Sequence, residues 1–305
     1  MGVLDEIQGE IQRAAEGVRA AVVGIGHRWG VGSGVVIGTG QVLTNAHNVR
    51  GEQVSVTFAD GRTEVGRIRG LDIDGDLAVV EVETGDSPAL EWATDGVPRL
   101  GAPVFALANP GGRGLRVTLG FVTGVDRSFR GPRGRRITGS IEHDAPLLPG
   151  SSGGPILGAD GRLLGLNTNR LGEGFYLAIP ADESLRTRVE ALARGESAAR
   201  VRLGIGVAPA HVASRLRRAV GLPEADGLLV RHVQDDSPAF RAGLAQGDLI
   251  VQAAGVPVRG MDDLFEALET AADGEIELTT LRGTDERPVQ VRLGEAAGSG
   301  QDGDG

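Results

Sequence analysis

Between Ala21 and Pro180 the apolar residues come in short bursts, each closed by Gly, Asp or Asn. The first set is AVVGIG, GSGVVIG, QVLTNA, QVSVTFA, EVGRIRG and DLAVVEVE. The second is PVFALANP, RVTLGFVTGV, RRITGSIEHDA, PILGADGRLLGLNT and GFYLAIP. Short apolar or alternating runs at this spacing read as strands of an all-β barrel or sandwich. The stretch WATDGVPRLGAP, rich in Gly and Pro, divides them into two halves of similar size, which suggests two packed barrels. The 50 glycines suit a fold with many tight turns that need positive φ. Aromatic residues are only 3% of the chain, so the cores must be aliphatic.

The flanks follow other periods. Val3, Leu4, Ile7, Ile11 and Ala14 or Ala15 recur at helical spacing, so residues 1–20 read as an N-terminal amphipathic helix that serves as a packing or oligomer arm. Residues 21–185 form the β-rich domain. Residues 181–200 read as a helix and a polar linker, with Asp182 as its cap and Leu185, Val189 and Leu192 on one face. The linker proper is assigned to 186–200. Residues 201–294 alternate strand and helix patterns and form a compact α+β module. The small, acidic tail 295–305 is expected to be disordered.

Charge and composition remove several function classes. The formal net charge is −10 and all 31 basic residues are Arg; a general nucleic-acid surface needs the opposite sign. There is no Cys, so disulfide and thiol chemistry are excluded. No run approaches the roughly 20 apolar residues of a membrane span. The N-terminus lacks the basic start and apolar middle of a secretory signal. As the chain stands it is expected to be cytoplasmic, or extracytoplasmic if an export signal or anchor has been removed.

Three islands carry chemistry. TNAHNV places His47 after an apolar strand, DIDGDLAVVEV places Asp76 at the start of one, and PGSSGGP places Ser152 in a Gly-rich turn. A serine hydroxyl is a weak nucleophile until a neighbouring base takes its proton, and imidazole titrates near neutrality. The imidazole needs a carboxylate to fix its tautomer, and the developing oxyanion needs backbone N–H groups aimed at one point. Each island alone is ordinary. Their joint presence in one β-rich segment supplies every part of nucleophilic catalysis.

With these motifs the chain resembles the HtrA/Deg family of PDZ-containing trypsin-like serine proteases. The matching pieces are GSGVVI, LTNAHNV, DGDLAVVEV, HDAPLLPGSSGGPIL, DGRLLGLNT and FYLAIPA, then RLGIGV, DDSPAFRAGL, GDLIVQAAGVPV and MDDLFEAL. The resemblance implies a mainly β chain: a trypsin-like double β-barrel protease domain followed by an α+β PDZ domain. It implies a serine endopeptidase, independent of ATP and of any cofactor or metal, that cleaves unfolded or damaged proteins. It also implies capture of peptide C-termini by the PDZ domain and a homo-oligomer, a trimer first. By position, His47 is the base, Asp76 its orienting acid, Ser152 the nucleophile, and the Gly150 and Ser152 N–H groups the oxyanion hole. Ser151 is the runner-up hydroxyl.

The resemblance further implies a specificity pocket lined by Leu147, Leu148 and Pro149 on one side and by Leu166, Asn167, Thr168 and Asn169 on the other. Neither run holds an acid, so a small or medium aliphatic residue before the scissile bond is expected. Leu203, Gly204, Ile205 and Gly206 match the loop that holds a peptide carboxylate. Val207 continues the strand that pairs with the peptide, and a helix from Met261 to about Thr270 forms the other wall. The chain departs from the family in three places. HRWGVGSG is short where many members carry a long loop, Ser151 stands where Asn is usual, and no aromatic near the N-terminus matches the familiar trimer contacts.

His27, His211 and His232 are isolated and read as surface or packing residues. His143 lies near the active loop without metal-ligand spacing around it. RSFRGPRGRR at 127–136 reads as a solvated hairpin or, alternatively, as a sensing loop. A second functional class stays open beside the peptidase: a catalytically silent peptide-binding sensor or chaperone that uses the PDZ domain.

Overall fold

In the strand Gln53–Thr57, Val54 and Val56 point into a closed core while Gln53, Ser55 and Thr57 face outward. This period-two alternation, repeated along the chain, closes two barrels. The structure is a computed structural model that describes residues 2–27, 30–93, 98–131, 136–172, 174–196, 203–269, 271 and 274–293. The tail 295–305 and the end of the last predicted helix at 270 lie outside the described residues.

The first barrel comprises β1 (Val22–His27), β2 (Gly30–Gly38), β3 (Gln41–Thr44), β4 (Gln53–Thr57), β5 (Thr63–Asp72) and β6 (Leu77–Glu81). They close in the order β1-β2-β3-β6-β5-β4. The second comprises β7 (Pro103–Ala108), β8 (Arg116–Arg130), β9 (Arg136–His143), β10 (Pro155–Leu157), β11 (Leu163–Leu171) and β12 (Phe175–Pro180). They close in the order β10-β11-β12-β9-β8-β7. Closure leaves no unpaired edge. Val23, Ile25, Val36, Val42 and Val80 fill the first barrel; Val104, Val122, Ile141 and Ile156 fill the second.

A larger cluster draws on both barrels and on two helices. Val35, Leu43 and Leu77 meet Leu107, Leu157 and Leu163 there. α1 (Val3–Val18) adds Ala14 and Val18. α2 (Glu183–Ala193) adds Leu185, Val189 and Leu192, and Asp182 caps it, accepting from the Leu185 N–H at 2.8 Å. The linker assigned to 186–200 is therefore wrong at its start. Residues 186–193 complete α2, because the buried face continues through Val189 and Leu192.

The basic run 127–136 falls on the β8–β9 hairpin, whose tip at 132–135 is not described. At its base, Arg127 pairs with Glu142 at 3.2 Å.

Contacts separate residues 1–198 from 199–305. The second unit holds β13 (Ile205–Ala208), α3 (Ala210–Ala219), β14 (Leu228–Val233), α4 (Pro238–Arg241), β15 (Leu249–Ala253), β16 (Val256–Pro257), α5 (Met261–Glu269), β17 (Glu275–Arg282) and β18 (Asp285–Arg292). Its sheet runs β13-β14-β15-β17-β18, with β16 paired to β15, so β13 lies at an edge. Leu228, Ile250, Leu264, Leu268 and Leu278 form its core.

Candidate active site

His47 sits in a single 3-10 turn, Ala46–Asn48, that follows β3. Asp76 ends the turn leading into β6, and its backbone takes a left-handed φ of 56°. Asp tolerates that region better than most residues. The Asp76 N–H donates to the Ile73 carbonyl, and its own carbonyl accepts from Asn45 Nδ2 at 2.9 Å. Residues on both sides of the strand pair β3–β6 thus fix where the carboxylate points.

That carboxylate is 1% exposed and fully engaged. His47 Nδ1 lies 2.9 Å from both Oδ1 and Oδ2, and the His47 backbone N–H donates to Oδ1 at 3.1 Å. Thr168 Oγ1 donates to Oδ2 at 2.6 Å. With Nδ1 donating to a buried carboxylate, Nε2 of the neutral ring is left as the acceptor. The imidazole itself is 37% exposed and open to a substrate.

Thr168 reaches Asp76 because β11 carries a bulge. Asn167 pairs with Ala178 and Asn169 with Leu177, so Thr168 is the extra residue. Bulges re-aim side chains beside functional sites. The Thr168 carbonyl accepts the hydroxyl of Ser152 at 3.1 Å. One threonine of the second barrel therefore touches both Asp76 and Ser152. In this structure the Ser152 hydroxyl is bonded to that carbonyl and not to the imidazole.

The loop before Ser152 turns at Leu148-Pro149-Gly150-Ser151, where the Ser151 N–H donates to the Leu148 carbonyl at 3.1 Å. Pro then Gly at the centre, with Gly150 at φ 88°, is the pattern of a type II turn, and only Gly adopts that φ freely. Among the described residues, neither the Gly150 N–H nor the Ser152 N–H has a protein acceptor. Ser151 is buried at 5% exposure, whereas Ser152 is half-buried.

Beside the loop lies a cavity of about 180 Å³, lined by residues 147–152, Asn167, Thr168 and Tyr176. Leu147, Leu148, Pro149, Asn167 and Thr168 line this cavity. Leu166 does not: it is fully buried in the core between the barrels, since strand alternation turns it away. The side chain of Asn169 lies outside what the structure describes. Tyr176 was missed. It comes from β12, which pairs with β11, and its hydroxyl donates to the Leu147 carbonyl at 3.2 Å. Only the strand pairing brings it there.

His143 packs against two of the lining residues. It is fully buried, stacks on Tyr176 at 5.8 Å between centroids, and shares a 2.9 Å hydrogen bond through Nε2 with Asn167 Oδ1. Burial pushes its pKa below the ordinary imidazole value, against weaker upward pulls from Asn167 and Asp144. No group of three His, Asp or Glu side chains among the described residues is arranged to hold a metal ion.

In the second unit, the Leu203 and Gly204 carbonyls accept from Ala239 and Gln234 at 2.9 and 2.8 Å. Gly204 has φ 74°, and its N–H has no protein acceptor among the described residues. Ile205, Gly206 and Val207 lie on β13.

Known proteins share this layout. Residues 32–166 match the trypsin-like peptidase domain family and residues 229–282 match the PDZ domain family. The putative serine protease HhoA of Synechocystis sp. is 37% identical over 83% of this chain and 68% of its own length. The putative serine protease HhoB of the same organism is 34% identical over 87% of this chain and 66% of its own. The chain thus spans about two thirds of the length of these relatives. Among solved structures, the HtrA-type protease AlgW with a decapeptide superposes with a TM-score of 0.69 at 25% identity, covering 95% of this chain and 99% of that one.

Proposed function

This chain belongs to the HtrA/Deg family of PDZ-containing trypsin-like serine proteases, and on that premise we propose that it is an ATP-independent serine endopeptidase of unfolded or damaged protein chains. The observation that carries the reading is the buried Asp76 carboxylate, bonded at once to His47 Nδ1 and to Thr168, whose carbonyl holds the Ser152 hydroxyl.

In the proposed reaction the Ser152 hydroxyl leaves the Thr168 carbonyl and turns to His47 Nε2. Oγ attacks the scissile carbonyl carbon as its proton passes to Nε2. The carbonyl oxygen becomes an oxyanion facing the Gly150 and Ser152 N–H groups, which have no acceptor among the described residues to give up. The intermediate collapses, the C–N bond breaks, and the imidazolium returns the proton to the leaving amine. Water then attacks the acyl-serine by the same route in reverse. Asp76 keeps Nε2 the basic nitrogen and stabilises the imidazolium without taking the proton.

The pocket walls of Leu147, Leu148, Pro149 and Tyr176 favour an apolar side chain before the scissile bond, and the described lining residues include no carboxylate to recruit Arg or Lys. We assign capture of peptide C-termini to Leu203, Gly204, Ile205, Gly206 and Val207, with activity responding to that capture. Among the described residues no helix is long and apolar enough to cross a membrane.

The test is degradation of an unfolded protein such as casein by the full chain. Wild type is expected to cleave it, and Ser152→Ala to lose turnover by about 10⁴-fold or more with its melting temperature unchanged. Ser151→Ala is expected to keep substantial activity. A dead Ser151→Ala beside an active Ser152→Ala would reverse the assignment.

A further inference from the structure

Two side chains of the first barrel end on the nucleophile loop of the second, and neither has a role in the chemistry above. Asn48 Nδ2 donates to the Ser152 carbonyl at 2.8 Å, and the Ser33 N–H donates to the same oxygen at 2.9 Å. Ser33 Oγ donates to the Gly150 carbonyl at 2.9 Å and accepts from the Asn109 N–H at 3.0 Å. Asn48 Nδ2 also donates to Thr44 Oγ1 at 3.0 Å, and that hydroxyl donates to the Ser33 carbonyl at 2.7 Å. Asn48 and Ser33 are buried. A Cβ on Gly32 would lie 2.4 Å from Asn48 Cγ, so the amide occupies space that Gly32 leaves open.

The two carbonyls held this way belong to the two residues whose N–H groups form the proposed hole. The Gly150 carbonyl fixes the 150–151 peptide plane and the Ser152 carbonyl fixes the 152–153 plane. The 151–152 peptide, which carries the Ser152 N–H, is confined between them. The type II turn restrains the 149–150 peptide, which carries the Gly150 N–H. With the carbonyl side of the loop tied to the first barrel, its N–H side faces the substrate.

We propose that Asn48, together with Ser33, is a positioning residue that holds the oxyanion hole formed in the unliganded chain; this rests on the peptidase reading above. An apolar side chain of similar size would fill the space at 48. It would leave the Ser152 carbonyl one donor short and the loop free to turn.

The experiment uses the full chain and a chromogenic peptide with an apolar residue before the reporter. Asn48→Val is expected to lower kcat by about tenfold to 100-fold while KM stays within about twofold. Affinity for a peptide aldehyde, which forms a tetrahedral adduct, is expected to fall by a similar factor. Asn48→Asp keeps the shape but sets an acceptor against the Ser152 carbonyl, and is expected to lose at least as much. If Asn48→Val fails to fold, Ser33→Ala removes the two Oγ bonds, to the Gly150 carbonyl and from the Asn109 N–H, keeps the Ser33 N–H on the Ser152 carbonyl, and is read by the same kcat and KM split. Both Asn48 variants matching an active wild type, or a rise in KM at unchanged kcat, would overturn the proposal and leave the peptidase reading standing. An inactive wild type would overturn the peptidase reading itself.

Discussion

His143 has one ring nitrogen on Asn167, and its other, Nδ1, is buried without a hydrogen-bond partner among the described residues. A proton on that ring would have to sit in a site that excludes water, which is why its pKa is held down. The sign of the consequence follows from linkage. The unfolded chain binds this proton more readily than the folded chain, so the native state is favoured by neutral imidazole. That stability is fully present above the unfolded pKa of about 6.5 and is lost as pH falls below it toward the depressed folded value. His143→Gln cannot titrate and can still donate to Asn167. It is expected to lose less melting temperature than wild type between about pH 7 and pH 5; an identical acid limb would remove His143 as the cause. From the sequence, His47, Asp76 and Ser152 were open to proposal as a set because their three motifs occur together in one β-rich segment. His143, Tyr176 and the double contact of Thr168 were not. Each depends on a partner strand or a bulge, and neither leaves a mark on the neighbouring residues.

At the scale of elements, α2 shows the same limit. Its cap and buried face were legible as Asp182, Leu185, Val189 and Leu192, yet the boundary drawn after 185 cut it. What the sequence hides is where the helix docks. A Cβ on Gly70 of β5 would lie 2.3 Å from the Leu192 carbonyl oxygen, so the helix backbone lies directly on the strand. Arg188 bonds Asp72 at 2.7 Å, and Asp72 in turn accepts the Gly75 N–H at 2.8 Å, next to Asp76. α2 thus braces the turn that presents the candidate acid. A chain ending at 185 loses Val189 and Leu192 from the core, about 3–6 kcal/mol at 1.5–3 kcal/mol per buried side chain. That is comparable to the whole stability of many domains. Residues 1–198 are expected to unfold cooperatively near the melting temperature of the first unit in the full chain, and residues 1–185 well below it or not cooperatively. Equal melting of the two fragments would mean that α2 adds nothing to the fold.

Across the whole molecule, the two barrels and the α+β unit were legible because strand period, turn residues and the Gly- and Pro-rich break all survive in one sequence. The second unit carries the proposed peptide capture. Among the described residues, β13 is an edge strand of its sheet and Gly204 at its entrance has an N–H without a protein acceptor. A peptide C-terminus would meet both features: its carboxylate at the loop 203–206 and its backbone along β13. Its last side chain would enter the apolar surface near Ile205, Val207 and Met261, which pack on the core of this unit. We expect peptides with an apolar C-terminal residue to bind in the micromolar range, on the order of −8 kcal/mol. Amidating that terminus is expected to remove most of the affinity, because the loop amides lose their charged partner. Coupling to catalysis needs more than binding; the peptide must favour one of two arrangements of the catalytic loop. If the Ser33–Asn48 contacts already hold that loop, a PDZ ligand has little left to order. Titrating the peptide against cleavage of a small substrate should then raise the wild-type rate by less than about threefold. The same ligand should give a larger fractional gain in Asn48→Val, where the loop has been freed. Strong activation of wild type with none in the variant would place the resting barrier elsewhere than residues 147–151. Equal binding of the free and amidated peptides would remove carboxylate capture from the function of this unit.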